Sequence, residues 1–288
     1  MEKKTATVSK NANVEQKASP VGSVFASIVI PVALIASVLI YMFVLGAPSN
    51  FEGGDPNNHP LPGNYLGIVY KGGWVVPVLL GLNLMVLIFA IERALTIGKA
   101  KGTKSVAAFV RTISAKLNQR DVNGAIAACD AQKGSVANVV KAGLLKYKEM
   151  QNEPELLKAE KVASIQKEIE ESTALELPML EKNLVVISTI ASISTLVGLI
   201  GTVLGMIKAF AALAQGGAPD AVGLANGISE ALINTALGIT GSAIAIVAYN
   251  YFTSKIDELT YSIDEAGFSI VSTFSSQHET PAARPQTV

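Results

Sequence analysis

Apolar residues run without a charged interruption through four stretches of this chain, roughly residues 22–47, 72–91, 183–207 and 231–254. Each meets the length of about 20 residues that a helix needs to cross a hydrocarbon core. The pattern predicts an all-α, polytopic membrane protein with four transmembrane helices. The first stretch exceeds the roughly 7 to 15 residues of a signal-peptide core, so it reads as a retained span. Between the second and third stretches the pattern stays helical. Apolar positions fall at Val106, Phe109, Val110 and Ile113, and again at Val136, Val139, Val140 and Leu144, and no segment alternates as a strand does. The charged run "ELLKAEKVASIQKEIEESTALELPMLEK" spaces acids and bases three to four residues apart, as a solvated helix does. It is expected to enter the third span as one long helix, with Pro178 the place for a bend.

Lysine and arginine set the orientation. Four precede the first span, Lys71 follows it, fifteen lie from Arg93 to Lys182, and none lies between 209 and 229. Both termini and the long middle segment are therefore expected in the cytoplasm. The resulting organisation is a cytoplasmic tail (1–22), a span (23–47), a periplasmic loop (48–72) and a second span (73–96). A cytoplasmic helical domain follows (97–183), then a span (184–213), a periplasmic turn (214–225), a last span (226–254), and a cytoplasmic helix with a disordered tail (255–288). The loop "GAPSNFEGGDPNNHPLPGNY" reads as an irregular connector. The tail after about residue 274 is polar, with two prolines.

Composition narrows the function classes. Charged residues make up 16% of the chain against about 25% in soluble domains. A formal net charge of zero supplies no basic excess for nucleic acid. Cys129 is a single cysteine, and His59 and His278 lie far apart, so neither a disulfide nor a metal site is expected. "GKAKGTKS" (98–105) lacks the spacing of a phosphate-binding loop, and no nucleophile, base and orienter stand together. No enzyme and no cofactor are expected.

The last two spans carry the candidate chemistry. At 100 degrees per residue, Gly241, Asn234, Ala245, Gly238, Tyr249, Ser242 and Thr235 lie within about 140 degrees of Glu230 on the fourth span. Leu232, Ile233, Ile239, Ile244 and Val247 take the other side. On the third span Ser188, Ala191, Thr195, Gly198, Gly205 and Ala209 share the side of Thr202, opposite Ile193, Ile200, Leu204 and Ile207. Gly198, Gly201, Gly205, Gly238 and Gly241, with Asn234 and Ser242, are read as pore-lining or helix-packing positions, since small residues let helices approach closely in lipid. Centring the connection "LAQGGAPDAVG" near Gly216 puts Thr202 level with Glu230 and Thr235 about 7 Å deeper. An ionised carboxylate in hydrocarbon costs roughly 3 kcal/mol. Glu230 can escape that cost by taking up a proton if no cation pairs with it, and this makes it the expected proton carrier. Lys208, near the outer end of the third span, is read as reaching to the interface.

"GLIGTVLGMIKAF" (198–210) and "GISEALINTALG" followed by "AYNYF" (227–252) resemble the ExbB/TolQ branch of the MotA/TolQ/ExbB proton-channel family. The resemblance covers 176–254 specifically and extends more weakly through "GSVANVVKAGL" and "IERALTIGKA". The first span and the Pro-rich loop lie outside the family's three-span pattern. The resemblance implies a homo-oligomer, pentameric in the family, in the bacterial inner membrane. Its last two spans would line a pore around the single helices of an ExbD-like partner. Proton flow would then drive work on a TonB-like protein for outer-membrane import. It also places Glu230, Thr202 and Thr235 on the family's proton pathway. Thr195 and Ile244 stand where relatives commonly have proline. A TolQ-like subunit of the Tol-Pal system and a non-conducting membrane scaffold remain as alternatives.

Overall fold

The computed structural model describes residues 21–214 and 220–277. The tails that carry four lysines and His278, and the middle of the predicted turn near Gly216, lie outside the described residues. The described residues are almost wholly helical, with no strand beyond an isolated bridge between Phe51 and Pro60. Four helical runs among them are long and apolar enough to cross a membrane.

Helix α1 (Val21–Leu39) continues as a π-helical turn over Ile40–Leu45. It packs on α3 (Val75–Ala100), where Gly81 admits Leu34 and Ser37. A Cβ there would stand 2.9 Å from the Leu34 side chain. Phe25 meets Phe89 edge-to-face at 5.9 Å. The connection between these helices is not the plain connector expected. Asn50, buried, donates to the carbonyls of Val44 (2.8 Å) and Leu45 (2.9 Å) and accepts from Asn64 Nδ2 (3.0 Å). Tyr41 stacks on Tyr70, and Lys71 Nζ donates to the carbonyls of Pro56 and Asn57. Burial lowers the pKa of Lys71 from its ordinary value, and Asp55 opposes the shift. Short helix α2 (Tyr65–Tyr70), capped by the Asn64 side chain on Gly67 N–H, then turns into α3. The loop is a folded cap because its amides close the backbone groups that a tight turn leaves open.

At the far end of α3 sits a helical domain built from α4 (Val106–Asn118), α5 (Val122–Gln132), α6 (Gly134–Gln151) and α7 (Lys158–Glu181). The sequence spacing is realised: Phe109, Val110, Ile113, Val139, Val140 and Leu144 are all buried. Cys129 is buried too, and loss of solvent, helped by Asp130, pushes its thiol up to about 12. Of the segment 98–105, residues 98–100 end α3 and 101–105 are a tethered connector, with Gln132 Nε2 donating to the carbonyls of Lys101 and Lys104 at 2.9 Å each.

The charged run and the third span do not form one helix. α7 ends at Glu181 and α8 spans Leu184–Leu213, separated by Asn183 at φ 67°. Pro178 sits inside α7 without breaking it. The break falls where asparagine tolerates the left-handed region. It is supported from α3, where the buried Arg93 Nη1 donates to the carbonyls of Leu180 (3.0 Å) and Met179 (3.4 Å). These carbonyls end α7 without helical partners, so a guanidinium completes them.

α9 runs unbroken from Ala221 to Gln277, 57 residues and about 85 Å. It begins inside the predicted turn and ends beyond the predicted start of the disordered tail. Its last turns belong to the domain core. Tyr147 packs edge-to-face on Phe274 at 4.9 Å, and Gln277 accepts from Tyr147 Oη at 3.0 Å and donates to the Leu117 carbonyl at 3.2 Å.

Candidate functional site

Helices α8 and α9 form an antiparallel hairpin joined along a seam of small residues. A Cβ on Gly198 would lie 3.1 Å from Gly238 Cα, one on Gly205 2.6 Å from Ala231 N, and one on Gly227 2.5 Å from Ala209 N. These obstacles are backbone atoms, so the seam requires glycine. The apolar faces point outward as the helical spacing predicts, with Ile200, Ile207, Leu232, Ile239 and Val247 exposed. The pairs 198/238, 205/231 and 209/227 share a midpoint at position 218, not 216. The loop glycines suggested the wrong centre because register follows from where backbones can touch. The consequence is one helical turn: Thr202 is level with Thr235, not with Glu230. The two hydroxyls are in contact, while Thr202 also donates to the Gly198 carbonyl and Thr235 to the Ala231 carbonyl, each at 3.1 Å. Two hydroxyl protons thus serve three contacts, an arrangement whose donors can exchange.

Glu230 is only 6% exposed, and it is not alone. Lys208 Nζ donates to its Oε1 at 2.6 Å and its Oε2 at 2.8 Å. The expectation that Lys208 merely reaches to the interface is therefore corrected. The lysine stem follows α8 outward, and its ammonium turns back on the carboxylate, leaving the lysine side chain 52% exposed and the glutamate side chain 9%. The proviso on Glu230 taking up a proton, that no cation pair with it, is not met. In a medium where each lone charge is costly, a cation and an anion on facing helices compensate one another.

The turn before α3 roofs this pair. Gly73 has φ +77°, and a Cβ on it would stand 2.5 Å from Glu230 Oε1. Asn234, fully buried, donates from Nδ2 to the Gly72 carbonyl at 2.8 Å, while its Oδ1 has no hydrogen-bond partner among the described residues. Gly201 leaves the space that Asn234 fills. The remaining positions belong to packing. Ser242 Oγ donates to the Ala191 carbonyl at 2.5 Å, and Gly241 admits Asn83 and Ser194. The sequence residues therefore divide into a charged cluster at Glu230 and Asn234, a hydroxyl pair at Thr202 and Thr235, and a packing seam at Gly198, Gly205, Gly238, Gly241 and Ser242.

Sequence reasoning missed Lys208 as a partner, and missed Gly72, Gly73 and Asn83 altogether. A lone cation and a lone anion in one hairpin of apolar helices were a signal for the pair. Nothing in the sequence pointed to the roof, which comes from a turn some 160 residues away.

A profile of the MotA/TolQ/ExbB proton channel family matches residues 132–265, a segment that contains Thr202, Lys208, Glu230 and Thr235. Over those residues, a little under half of its length, the chain is similar to the MotA/TolQ/ExbB family. Similar proteins include a putative biopolymer transport protein, ExbB-like 3, of Synechocystis sp., 36% identical over 88 residues, which is 30% of this chain and 42% of that protein. Tol-Pal system protein TolQ of Pseudomonas aeruginosa is 30% identical over 124 residues, 43% of this chain and 54% of TolQ. Biopolymer transport protein ExbB of Salmonella typhimurium is 41% identical over 70 residues, 24% of this chain and 29% of that ExbB. The chain spans about half the length, or less, of the curated relatives it matches. Four helices long and apolar enough to cross a membrane describe a multi-pass membrane protein, and the matched segment is similar to a channel-type family. The matched segment excludes α1, the folded loop and the roof over Glu230.

Proposed function

We propose that the chain is a proton-conducting, ExbB-like motor subunit of the bacterial inner membrane. With an ExbD-like single-span partner it converts proton-motive force into work on a TonB-like protein for outer-membrane import. It acts as a homo-oligomer, a pentamer as in the family, with both termini and the helical domain in the cytoplasm. Protons are the transported ion and no cofactor takes part. The observation that carries this reading is Glu230, buried at 6% exposure between two apolar helices and held by Lys208.

The ion pair gives a proton something to change. Protonation of Glu230 removes the charge that holds Lys208, and the ammonium, already half-exposed, moves toward water. The carboxyl then needs neutral partners, and Asn234 Oδ1, without a hydrogen-bond partner among the described residues, lies one helical turn away. The Thr202–Thr235 contact supplies exchangeable hydroxyls one further step along the seam. Loading and unloading Glu230 thereby alternates between an ion-paired and a neutral seam, the two-state element that a motor subunit needs.

Glu230→Gln tests the reading in reconstituted vesicles with the single-span partner. Proton flux is expected to vanish while the oligomer still assembles. Unchanged energised transport in that variant would leave a scaffold as the function. A TolQ-like role is favoured by one observation, the longer match to TolQ than to the Salmonella ExbB. Loss of iron or cobalamin uptake on deletion supports the ExbB-like assignment, and envelope leakage supports the TolQ-like one.

A further inference from the structure

A cavity of about 430 Å³ opens between the end of α3, the start of α4 and α9, lined among others by Ala94, Gly98, Lys101, Tyr251, Lys255 and Glu258. A second groove of about 520 Å³ adjoins it along α3 and α9, walled by Ala90, Ile244, Val247 and Ala248, and shares Tyr251 and Phe252 with the first. We read the two, which meet at Tyr251 and Phe252, as one trough, charged at one end and apolar along the rest. It is remote from the site described above, since Lys255 lies 25 residues along α9 from Glu230, about 37 Å.

We infer that this trough binds one anionic phospholipid, its phosphate against Lys101 and Lys255 and an acyl chain along the Ile244–Val247 groove. The inference rests on the chain crossing a membrane and is independent of proton conduction. The dimensions fit: Ile244 to Lys255 spans eleven residues, about 16 Å, close to half of a hydrocarbon core of roughly 30 Å. The charges fall where a headgroup would be. Lys255 Nζ is paired with Glu258 Oε2 at 2.7 Å, whereas Lys101 makes no ion pair among the described residues, its charge reaching Glu258 at longer range. The rim therefore carries a net positive charge at the boundary between an apolar run and a charged one, where basic pockets between spans recruit anionic headgroups. Tyr251, 58% exposed, lines both parts where they meet, and aromatic residues are favoured at a membrane interface. Gly98 opens the floor: a Cβ added there meets nothing within 4 Å. The positively charged rim favours a lipid over a neighbouring apolar helix, which would bring no anion to Lys101 and Lys255.

Full-length oligomer, reconstituted in nanodiscs of mixed phosphatidylcholine and phosphatidylglycerol and released into native mass spectrometry, reports which lipid stays bound. Phosphatidylglycerol is expected to be retained over phosphatidylcholine. The double variant Lys101→Gln, Lys255→Gln should lower that retention about 25-fold, and Glu258→Gln should raise it, since each surface lysine is worth roughly fivefold for an anionic headgroup. Gly98→Phe should remove both lipids by filling the cavity, with oligomer mass unchanged. Equal retention of the two lipids in all variants overturns the inference. So does displacement by millimolar inorganic phosphate, which would mark a free-phosphate site. A change of oligomer mass in Gly98→Phe with the lipid count intact would assign the trough to a protein contact.

Discussion

The α8–α9 seam and the helical domain solve the same problem, helix against helix, with opposite materials. In the domain, large side chains are fully buried: Tyr147, Ile113, Leu117, Leu144, Ile165 and Phe274 fill the space between α4, α6, α7 and the end of α9. On the seam the touching groups are the backbones of Gly198, Gly205, Gly227 and Gly238. In water, apolar area leaving solvent stabilises the contact, at about 25 cal/mol per Å². In lipid no such drive exists, so packing distance and interhelical hydrogen bonds such as Ser242 to Ala191 carry the association. Polar chemistry can therefore sit on the seam, where Asn234 and Glu230 are already part of the packing, and would be out of place in the domain core.

The same substitution placed in each region breaks the comparison most directly. A Cβ at Gly205 meets Ala231 N at 2.6 Å, an atom that cannot rotate away, whereas a Cβ at Gly143 in the domain meets the Ile169 side chain at the same 2.6 Å. Gly205→Ala is expected to destabilise by about 3 kcal/mol. Gly143→Ala should stay within about 1 kcal/mol of the parent, because helix propensity offsets side-chain rearrangement. Thermal melting in detergent checks both, and equal losses would show that the two interfaces obey one rule.

Next in size is Lys208→Met, which leaves Glu230 buried without its cation. The half-exposed lysine sets the cost below that of a wholly buried pair, at about 2 kcal/mol. Adding Glu230→Gln should recover most of it, a coupling read by a double-mutant cycle. Additive effects would mean that the pair contributes nothing to the seam.

The smallest effect lies in the domain. Asp121 caps α5, and the Gly124 N–H together with Lys116 hold its carboxyl below its ordinary pKa. A depressed folded-state value stabilises the fold at pH above the unfolded value, and the contribution is lost as pH falls through the folded one. Asp121→Asn should lower the melting temperature slightly at neutral pH, and the gap should close in acid. A gap independent of pH would assign the cap to geometry alone.

Much of this was legible in the sequence, and the reason is periodicity. Charge-free runs marked the four apolar helices, and the positions of Val106 through Ile113 and Val136 through Leu144 marked a domain core that is buried as read. The polar and small face of α9 was likewise visible, since every third or fourth residue returns to the side of Glu230. Three local readings failed for a shared reason. The break at Asn183 depends on Arg93 from another helix, the folded loop depends on amides meeting across fourteen residues, and the register of α8 on α9 depends on which glycines touch.

Helix identity, amphipathic faces and the candidate carboxylate were determined by the sequence alone, because each follows from the spacing of residues along one helix. Only the tertiary structure decided that Thr202 meets Thr235, that Lys208 closes on Glu230, and that Gly72 and Gly73 roof the pair. These are contacts between helices, and their geometry depends on backbone approach distances that no single helix encodes.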